Sequence, residues 1–427
     1  MTKRTRTILF FACFLLFLIA APVAVLYSQG YRFDFTAKKI TQTGGIFVKT
    51  DPKQAEIYVD DKLSKRTDFF FGSILIENLL PKNYKITVKK EGYKSWEKNL
   101  EIKEKTVTEI KSIVLFPENQ NYTILTENAE DFWLSPDGKN MVIRENQAAG
   151  GTDIWTLKLY NLSNGVKSQL ISEKDIYQKG ADLLNVQFTQ NPLEINLDIG
   201  MKEQMKNFTL DIGKNPPVLT EKATTSIPAD IIVSQRINSN IYYLDNSGYV
   251  YKSDLTYMQK EKINSTPFSL KQETEYKLVI FPGQIFIQEN QVLYQLNSQS
   301  GIFEEFFEPI KGLKLSPDSR KIVYFSDYEI WILFLQDSNE PPLGKTGDKL
   351  FLNRFSEKIG DIFWINSNYI AFNTGNSIKI SEIDNRDKIN IYDFGEFNAP
   401  ELSFNTADNR LYALSEGDIL SSAKLLP

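Results

Sequence analysis

Histidine is absent from the 427 residues, and cysteine occurs once, at Cys13. Without histidine the chain cannot carry Ser-His-Asp or Cys-His catalysis, or a metal site with imidazole ligands. Because Cys13 is the only cysteine and lies in an apolar run, the rest of the chain has no thiolate for zinc and cannot form a disulfide. A large packed core must therefore stabilise the protein, and we expect a prokaryotic envelope protein rather than a small secreted domain.

Sequence motifs for nucleotide chemistry are missing as well. There is no GxxxxGK[ST] loop and no GxGxxG that follows a strand. Adjacent carboxylates occur at Asp60-Asp61 and Glu304-Glu305, and Asp-Asn-Ser-Gly at 245–248 is a candidate cation loop. We interpret the two carboxylate pairs as surface turns. We interpret residues 245–248 as a hairpin turn, since the spaced oxygen ligands of a calcium loop are absent there. The sequence therefore predicts no catalytic, cofactor-binding or metal-ligating residues, no cofactor and no enzymatic activity.

Charge is distributed unevenly. Residues 1–43 have a formal charge of +5, residues 44–117 have +3, and residues 118–427 hold 29 basic and 42 acidic residues, or −13. A surface at −13 is a poor match for phosphate, so nucleic acid is not an expected partner.

An uncharged, mostly apolar run extends from Ile8 to Tyr27. As a helix it would be about 30 Å long, which is enough to cross the bilayer core. Lys3, Arg4 and Arg6 precede it, so the positive-inside rule places the short tail in the cytoplasm and the remainder outside. We predict an uncleaved signal-anchor in residues 1–30, followed by a linker at 31–43, in a single-pass protein of the cell membrane. The alternative is a cleaved signal peptide, although Pro22 follows its best cleavage site.

The sequence LSPDGKNMVI at 134–143 is repeated in a similar form, LSPDSRKIVY, at 315–324. DIWTL follows the first copy and EIWIL follows the second. Ser-Pro-Asp-Gly is turn chemistry, and we expect Gly138 to have a positive φ there. Trp155 and Trp331 recur at matched positions, which favours a packing role. Weaker copies start at Phe188, Val233, Val279, Ile365 and Phe404, and the average spacing is 45 residues.

A four-stranded propeller blade takes about 40–45 residues, so the spacing predicts a β-propeller of about seven blades in residues 118–427. Only three clear strands remain after Pro400, whereas NYTILTE at 121–127 precedes the first repeat. We therefore predict that residues 118–130 lie beside residues 415–427 and complete the last sheet, because an open sheet edge invites pairing with other chains.

Residues 44–117 alternate apolar and polar side chains, as at Ile46, Val48, Ile57 and Val59, which predicts a small antiparallel β-sandwich. We expect Trp96 in its core, and the alternative is an exposed platform on which a sugar stacks. The segment resembles a PEGA domain, a family named after a Pro-Glu-Gly-Ala tetrapeptide. Residues 52–55, Pro-Lys-Gln-Ala, occupy the position of that tetrapeptide, and the sequences AEIYVDD and LLPKNYKITVKKEGY also match the family pattern. Asp61 and Asn83 occupy positions where that family has glycine, and both residue types tolerate the left-handed region.

The repeated SPDGK and DIW are similar to those of TolB-like propellers. The fold class is thus all-β, with an N-terminal transmembrane helix, a PEGA-like sandwich and a propeller. Neither resemblance implies an enzyme. We expect a membrane-anchored extracytoplasmic binding or scaffold protein, whose propeller presents a surface to an envelope protein or a wall polymer. The alternatives are an envelope hydrolase that uses carboxylates or tyrosines in the propeller channel, and a role in envelope assembly or S-layer attachment.

Overall fold

The N-terminal run forms one long helix, α1, from Lys3 to Ser28. The structure is a computed structural model that describes residues 3–426 except 36, 150–151, 177–179, 202–203, 223–227 and 238. From Arg4 to Ser28 the helix has a mean hydropathy of 2.9 over its most apolar window, and none of that window is buried. The length and composition fit a membrane span or a signal sequence, and the absence of burial excludes a core helix.

The chain divides into two compact units. The first comprises residues up to Gln120, the segment Asp384–Tyr392 and the last residues of the chain. The second comprises Asn121–Ile383 and Asp393–Lys424. The predicted linker at 31–43 contains an antiparallel hairpin of two strands, β1 (Tyr31–Asp34) and β2 (Lys39–Gln42).

Two sheets form the body of the first unit. Their strands are β3 (Gly44–Asp51), β4 (Glu56–Val59), β5 (Lys62–Arg66), β6 (Ser73–Leu79), β7 (Asn83–Lys89), β8 (Trp96–Glu101) and β9 (Val107–Val114). One sheet has the order β6-β3-β9 and the other β5-β4-β7-β8. Their alternating apolar side chains meet in one core that includes Ile46, Val48, Ile57 and the fully buried Trp96. The core position predicted for Trp96 is confirmed.

The prediction that all strands here are antiparallel is wrong, because β3 and β9 pair in parallel, with Ile46 opposite Thr108. Parallel neighbours need a long connection between them. In this unit the whole of β4–β8 supplies that connection, a feature that strand alternation alone does not reveal. The left-handed conformation expected at Asp61 is present (φ 62°), as it is at Asp60. Asn83 instead begins β7 in ordinary strand conformation.

The segment Asp384–Tyr392 belongs to the first unit through contacts with β8. Lys98 is fully buried, and its Nζ donates to the carbonyl oxygens of Asp384 (2.8 Å) and Lys388 (2.6 Å). The neighbouring Asn99 donates from its backbone nitrogen and Nδ2 to Asp387 Oδ2 at 2.7 and 3.0 Å. These bonds compensate for the removal of the Lys98 ammonium group from water.

In the described part of the second unit the strands form seven four-stranded antiparallel sheets. The strands are β10 (Thr123–Thr126), β11 (Asp131–Leu134), β12 (Asn140–Ala149), β13 (Thr152–Asn161), β14 (Lys167–Ser172), β15 (Ala181–Phe188), β16 (Glu194–Met201), β17 (Gln204–Asp211), β18 (Val218–Glu221), β19 (Ile231–Ile237), β20 (Asn240–Asp245), β21 (Val250–Ser253), β22 (Lys260–Lys262), β23 (Tyr276–Phe281), β24 (Gln284–Glu289), β25 (Val292–Asn297), β26 (Ile302–Phe307), β27 (Gly312–Leu315), β28 (Lys321–Phe325), β29 (Glu329–Phe334), β30 (Lys349–Arg354), β31 (Ile359–Asn366), β32 (Tyr369–Thr374), β33 (Ser377–Glu382), β34 (Ile391–Glu396), β35 (Glu401–Asn405), β36 (Arg410–Ser415) and β37 (Asp418–Ser421). A short 3₁₀ helix at Glu173–Asp175 follows β14.

Six sheets are meanders of four consecutive strands, and the seventh has the order β10-β37-β36-β35. Strand β10 pairs antiparallel with β37, with Thr123 opposite Ser421. The pairing predicted between residues 118–130 and 415–427 is therefore confirmed. The seven repeat landmarks of the sequence each fall in or at the end of the first strand of a different sheet: Leu134, Phe188, Val233, Val279, Leu315, Ile365 and Phe404.

Successive sheets pack face to face through their apolar side chains. Val142 and Leu157 of the first meander share a core with Leu183 and Leu197 of the next. Ile143 packs with residues of the last sheet, in a cluster that includes Met141, Tyr412, Leu414 and Ile419. Sequential four-stranded meanders that pack face to face are a propeller-like arrangement.

Candidate functional sites

A cavity of about 590 Å³ lies among the first strands of four sheets, β19, β23, β27 and β31. Three lysines line it, Lys277, Lys311 and Lys314, together with apolar side chains such as Phe281 and Phe325. The volume lies within the range of small-ligand sites, and the combination of amines with apolar walls suits an anionic group carried on an apolar or sugar frame.

Lys314 is the most enclosed of the three amines. Its Nζ lies 2.7 Å from Asp361 Oδ2 and 3.5 Å from the centroid of the Phe363 ring. Burial lowers the pKa of Lys314, the Asp361 carboxylate opposes that shift, and the positive charge of Lys277 adds to it. Lys311 is also engaged, with its Nζ 3.2 Å from Asp327 Oδ1.

Lys277 differs from its two neighbours. It projects from β23 with an exposed side chain, and no ion pair to it is present in the described parts of the chain. Its charge acts on Lys314, and among the described residues Asp327 and Asp361 pair with only two of the three lysines that line the cavity. An anion that enters the cavity would therefore find an amine that is not neutralised.

A second cavity, of about 520 Å³, is acidic. Its lining includes Glu130, Glu401 and Glu416. Burial raises the pKa of Glu401, and the negative charge of Asp131 raises it further. Burial also raises the pKa of Asp131, against the effect of Arg144, whose Nη1 is 3.8 Å away. Two carboxyl groups with raised pKa values thus interact where β11 and β35 begin.

Glu289 is the centre of a third polar cluster, at the end of β24. Its carboxylate is buried and accepts hydrogen bonds from Lys271 Nζ (2.6 Å), Tyr276 OH (2.9 Å) and Tyr294 OH (3.4 Å). Burial raises the pKa values of both tyrosines. Tyrosines that are held protonated are donors rather than nucleophiles, so this cluster is a satisfied network that fixes the sheet end.

The first unit carries an exposed aromatic turn at residues 68–73, between β5 and β6. Phe69, Phe70 and Phe71 are all largely exposed. Asp68 Oδ1 accepts from the backbone nitrogens of Phe70 (2.8 Å) and Phe71 (2.6 Å), and Oδ2 accepts from Ser73 N (2.8 Å). The donor at Phe71 is the main cause that lowers the pKa of Asp68 to about 2. The turn is thus a rigid support for three apolar rings.

The carboxylates considered in the sequence have structural positions. Asp60 and Asp61 form the turn between β4 and β5, and Asp60 Oδ2 pairs with Lys82 Nζ at 3.0 Å. Residues 245–248 are the predicted hairpin turn, with Gly248 N donating to the Asp245 carbonyl at 3.0 Å. Glu304 and Glu305 were predicted to lie in a turn, but they lie on the exposed edge strand β26. They lie in the strand because the turn is formed by the preceding Asn-Ser-Gln-Ser-Gly.

The matched tryptophans lie in equivalent strands, β13 and β29. Trp155 is buried and donates from Nε1 to the Ala181 carbonyl at 2.6 Å, which joins two sheets. Trp331 stacks beside Tyr324 and donates to Glu329 Oε2 at 3.0 Å. Both have the packing role that the sequence predicted.

No three potential metal ligands come together among the residues that the structure describes. Sequence reasoning did not find the lysine cavity, because Lys277 and Lys314 are 37 residues apart and only the packing of β23 beside β27 joins them. It could have found the aromatic turn, since three consecutive phenylalanines between an aspartate and a glycine are exceptional for a turn.

Comparison with known families identifies residues 43–115 as a match to the PEGA domain. The match covers well under half of the chain, so it concerns this domain alone. The PEGA resemblance drawn from the sequence is thereby confirmed. No curated protein matches the chain.

Among solved structures, the chain is similar to the β-propeller domain of Cps50 (Swd1) from Myceliophteria thermophila, with 10% identity, a TM-score of 0.45 and coverage of 71% of this chain and 99% of that one. It is similar to YCF48 from Cyanidioschyzon merolae, with 10% identity, a TM-score of 0.44 and coverage of 70% and 98%. A chain of a mitotic checkpoint complex gives 12% identity, a TM-score of 0.47 and coverage of 72% and 94%. TM-scores below 0.5 do not support conclusions about this chain, so the comparison of the second unit with a propeller is based on the order and packing of its sheets.

Proposed function

We propose that the protein is a single-pass membrane protein whose second unit binds an envelope protein or a wall polymer outside the cytoplasmic membrane. The exposed apolar helix α1 and the basic residues at its start, Lys3, Arg4 and Arg6, support the anchor and its orientation. The domains would be the anchor at 1–30, the linker at 31–43, the PEGA-like sandwich at 44–117 and a closed seven-bladed, TolB-like propeller at 118–427.

The observation that carries this function is the Lys277 amine, which has no ion-pair partner among the residues that the structure describes. Lys277 faces the same cavity as Lys311 and Lys314, which pair with Asp327 and Asp361 respectively. A cavity in which an ammonium group has no carboxylate partner among the described residues is suited to binding an anionic group. The partner would present a carboxylate or a phosphate to Lys277.

The test is capture from an envelope extract with the soluble part of the chain, residues 31–427. We expect Lys277→Glu to reduce the captured amount about tenfold, because a repulsive charge replaces an attractive one. Lys345→Glu is the matched control, since it makes the same charge change at an exposed lysine of the β29–β30 loop. Equal capture by both variants would contradict the proposed site, and no specific capture by the unaltered protein would contradict the function.

The second candidate function is an envelope hydrolase, which Asp131 and Glu401 favour. Glycoside hydrolysis needs a carboxylic acid of raised pKa near a second carboxyl group, and burial raises the pKa of Glu401, with a further contribution from the negative charge of Asp131. Hydrolysis of wall glycans by the purified protein, abolished by Glu401→Gln and retained by Lys277→Glu, would favour this function over binding. Absence of turnover from pH 4 to pH 8 would exclude it.

A further inference from the structure

The β1–β2 hairpin has two chemically different faces. The strands pair with Phe33 opposite Ile40 and Arg32 opposite Thr41. Residues that are directly opposite in an antiparallel pair project to the same side, and successive residues alternate. Phe33 and Ile40 therefore share one face, and Arg32 and Thr41 share the other.

The polar face is turned toward the sheets of the first unit. Arg32 Nη2 donates to Asn78 Oδ1 at 2.7 Å, and Thr41 Oγ1 donates to Glu104 Oε1 at 2.5 Å. The apolar face must then point away from those sheets. Phe33 is 48% exposed and Ile40 61% exposed, and Phe35, whose ring centroid is 5.0 Å from that of Phe33, is 83% exposed.

The hairpin is also bonded to the end of α1. Thr43 N donates to the Gly30 carbonyl at 2.9 Å, and Gln42 Nε2 donates to the Gln29 carbonyl at 2.9 Å. Arg32 Nη1 donates to the Tyr27 carbonyl at 2.7 Å, and its guanidinium carbon lies 3.5 Å from the Tyr27 ring centroid. The apolar face is therefore held within a few residues of the point where the helix ends.

We propose that the face formed by Phe33, Phe35 and Ile40 inserts into the interfacial region of the outer leaflet. The exposed Lys38 at the hairpin tip would then contact a lipid phosphate group. The inference rests on the proposed anchoring by α1. A segment tied to the end of a membrane span lies at headgroup depth, where aromatic and basic side chains are favoured. This contact also gives a reason for basic residues on the outer side of the span.

The aromatic turn at residues 68–73 offers an internal comparison. Gly44 pairs with Leu79 and Lys49 with Ser73, so this turn lies about five strand residues, or roughly 17 Å, farther along β3 than the hairpin. If simple apolar exposure caused membrane contact, both sets of phenylalanines would enter the bilayer. If attachment to α1 determines which residues contact the membrane, only the phenylalanines of the hairpin would enter the bilayer.

The experiment uses the full chain with Cys13→Ser, which removes the only cysteine. A single cysteine is then introduced as Phe35→Cys or Phe70→Cys and labelled with an environment-sensitive fluorophore. Each protein is reconstituted into phosphatidylcholine–phosphatidylglycerol liposomes with lipids spin-labelled near the headgroup. We expect quenching at position 35 to exceed that at position 70 about threefold, because the hairpin is held at the interface.

Flotation with the liposomes is measured on the same samples, so that the two proposals can fail separately. Proteins that float but show equal or no quenching at the two positions would overturn the hairpin inference and leave the anchor intact. Stronger quenching at position 70 would overturn it as well and assign the membrane contact to the aromatic turn. Failure to float would overturn both the anchor and the inference.

Discussion

The two copies of the Ser-Pro-Asp turn are a natural matched pair for mutation. In the first copy Gly138 N donates to the Ser135 carbonyl at 2.9 Å, and in the second Ser319 N donates to the Ser316 carbonyl at 2.8 Å. Both residues are left-handed, with φ of 65° and 57°. The turns thus have the same backbone form, but one has glycine at the strained position and the other has serine.

We predict that exchanging these residues has unequal effects. Ser319→Gly relieves about 1 kcal/mol of left-handed strain but adds a similar entropy cost in the unfolded chain, so the free energy of unfolding should change by less than about 1 kcal/mol. Gly138→Ser introduces the same strain and also a side chain with no space for it. Its Cβ would lie 2.2 Å from Asn405 Oδ1 and 2.5 Å from Ala407 Cβ, side chains of the last sheet's first hairpin.

Since the strain is again nearly offset by the entropy change of the unfolded chain, the overpacking cost remains, and we expect Gly138→Ser to lower the free energy of unfolding by about 1–3 kcal/mol. The measurement is urea unfolding of residues 31–427, followed by tryptophan fluorescence. In an Ala407→Gly background the penalty should fall, since one of the two close contacts is then removed. Equal effects of the two exchanges, or no relief from Ala407→Gly, would refute the argument that the last sheet crowds this turn.

Three further outcomes are expected. A chain that starts at residue 130 should unfold at a lower temperature than one that starts at 117, because it lacks β10 and exposes the edge of β37; equal melting temperatures would rule out closure by that strand. Asp68→Asn should lower the free energy of unfolding of the first unit at neutral pH. This loss should disappear as the pH falls from about 4 through the folded pKa of Asp68 of about 2, because a carboxylate with a lowered pKa stabilises the fold only while it is ionised. A loss that does not vary with pH would contradict this. Protease added to intact spheroplasts should digest the second unit while a cytoplasmic control survives, and protection of both would reverse the proposed topology.

Much of the large-scale fold follows from local sequence signals. The turn chemistry at 135–138 and 316–319 determined two hairpins. These two copies and the five weaker ones together located the first strand of each of the seven sheets. The prediction that the strand before the first repeat pairs with the last sheet is confirmed by the pairing of β10 with β37. It could be made from sequence because an unpaired strand at one end of residues 118–427 and a three-stranded sheet at the other end complete each other. Such features depend on residues that are adjacent in sequence, or on a simple count.

The candidate sites depend on contacts between distant segments, and only the tertiary structure decided them. The parallel pairing of β3 with β9 requires the intervening strands to cross between sheets, which alternation cannot indicate. Lys277 and Lys314 become neighbours because separate sheets pack around one cavity. The outward face of Phe33 was decided by the hydrogen bond of Arg32 to Asn78, 46 residues away in the sequence. Sequence alone determined that this protein would be a helix followed by repeated β-sheets, because periodicity and turn residues act locally. The groups that a partner or a bilayer meets were determined by packing, because side chains from different strands converge only after the sheets have formed.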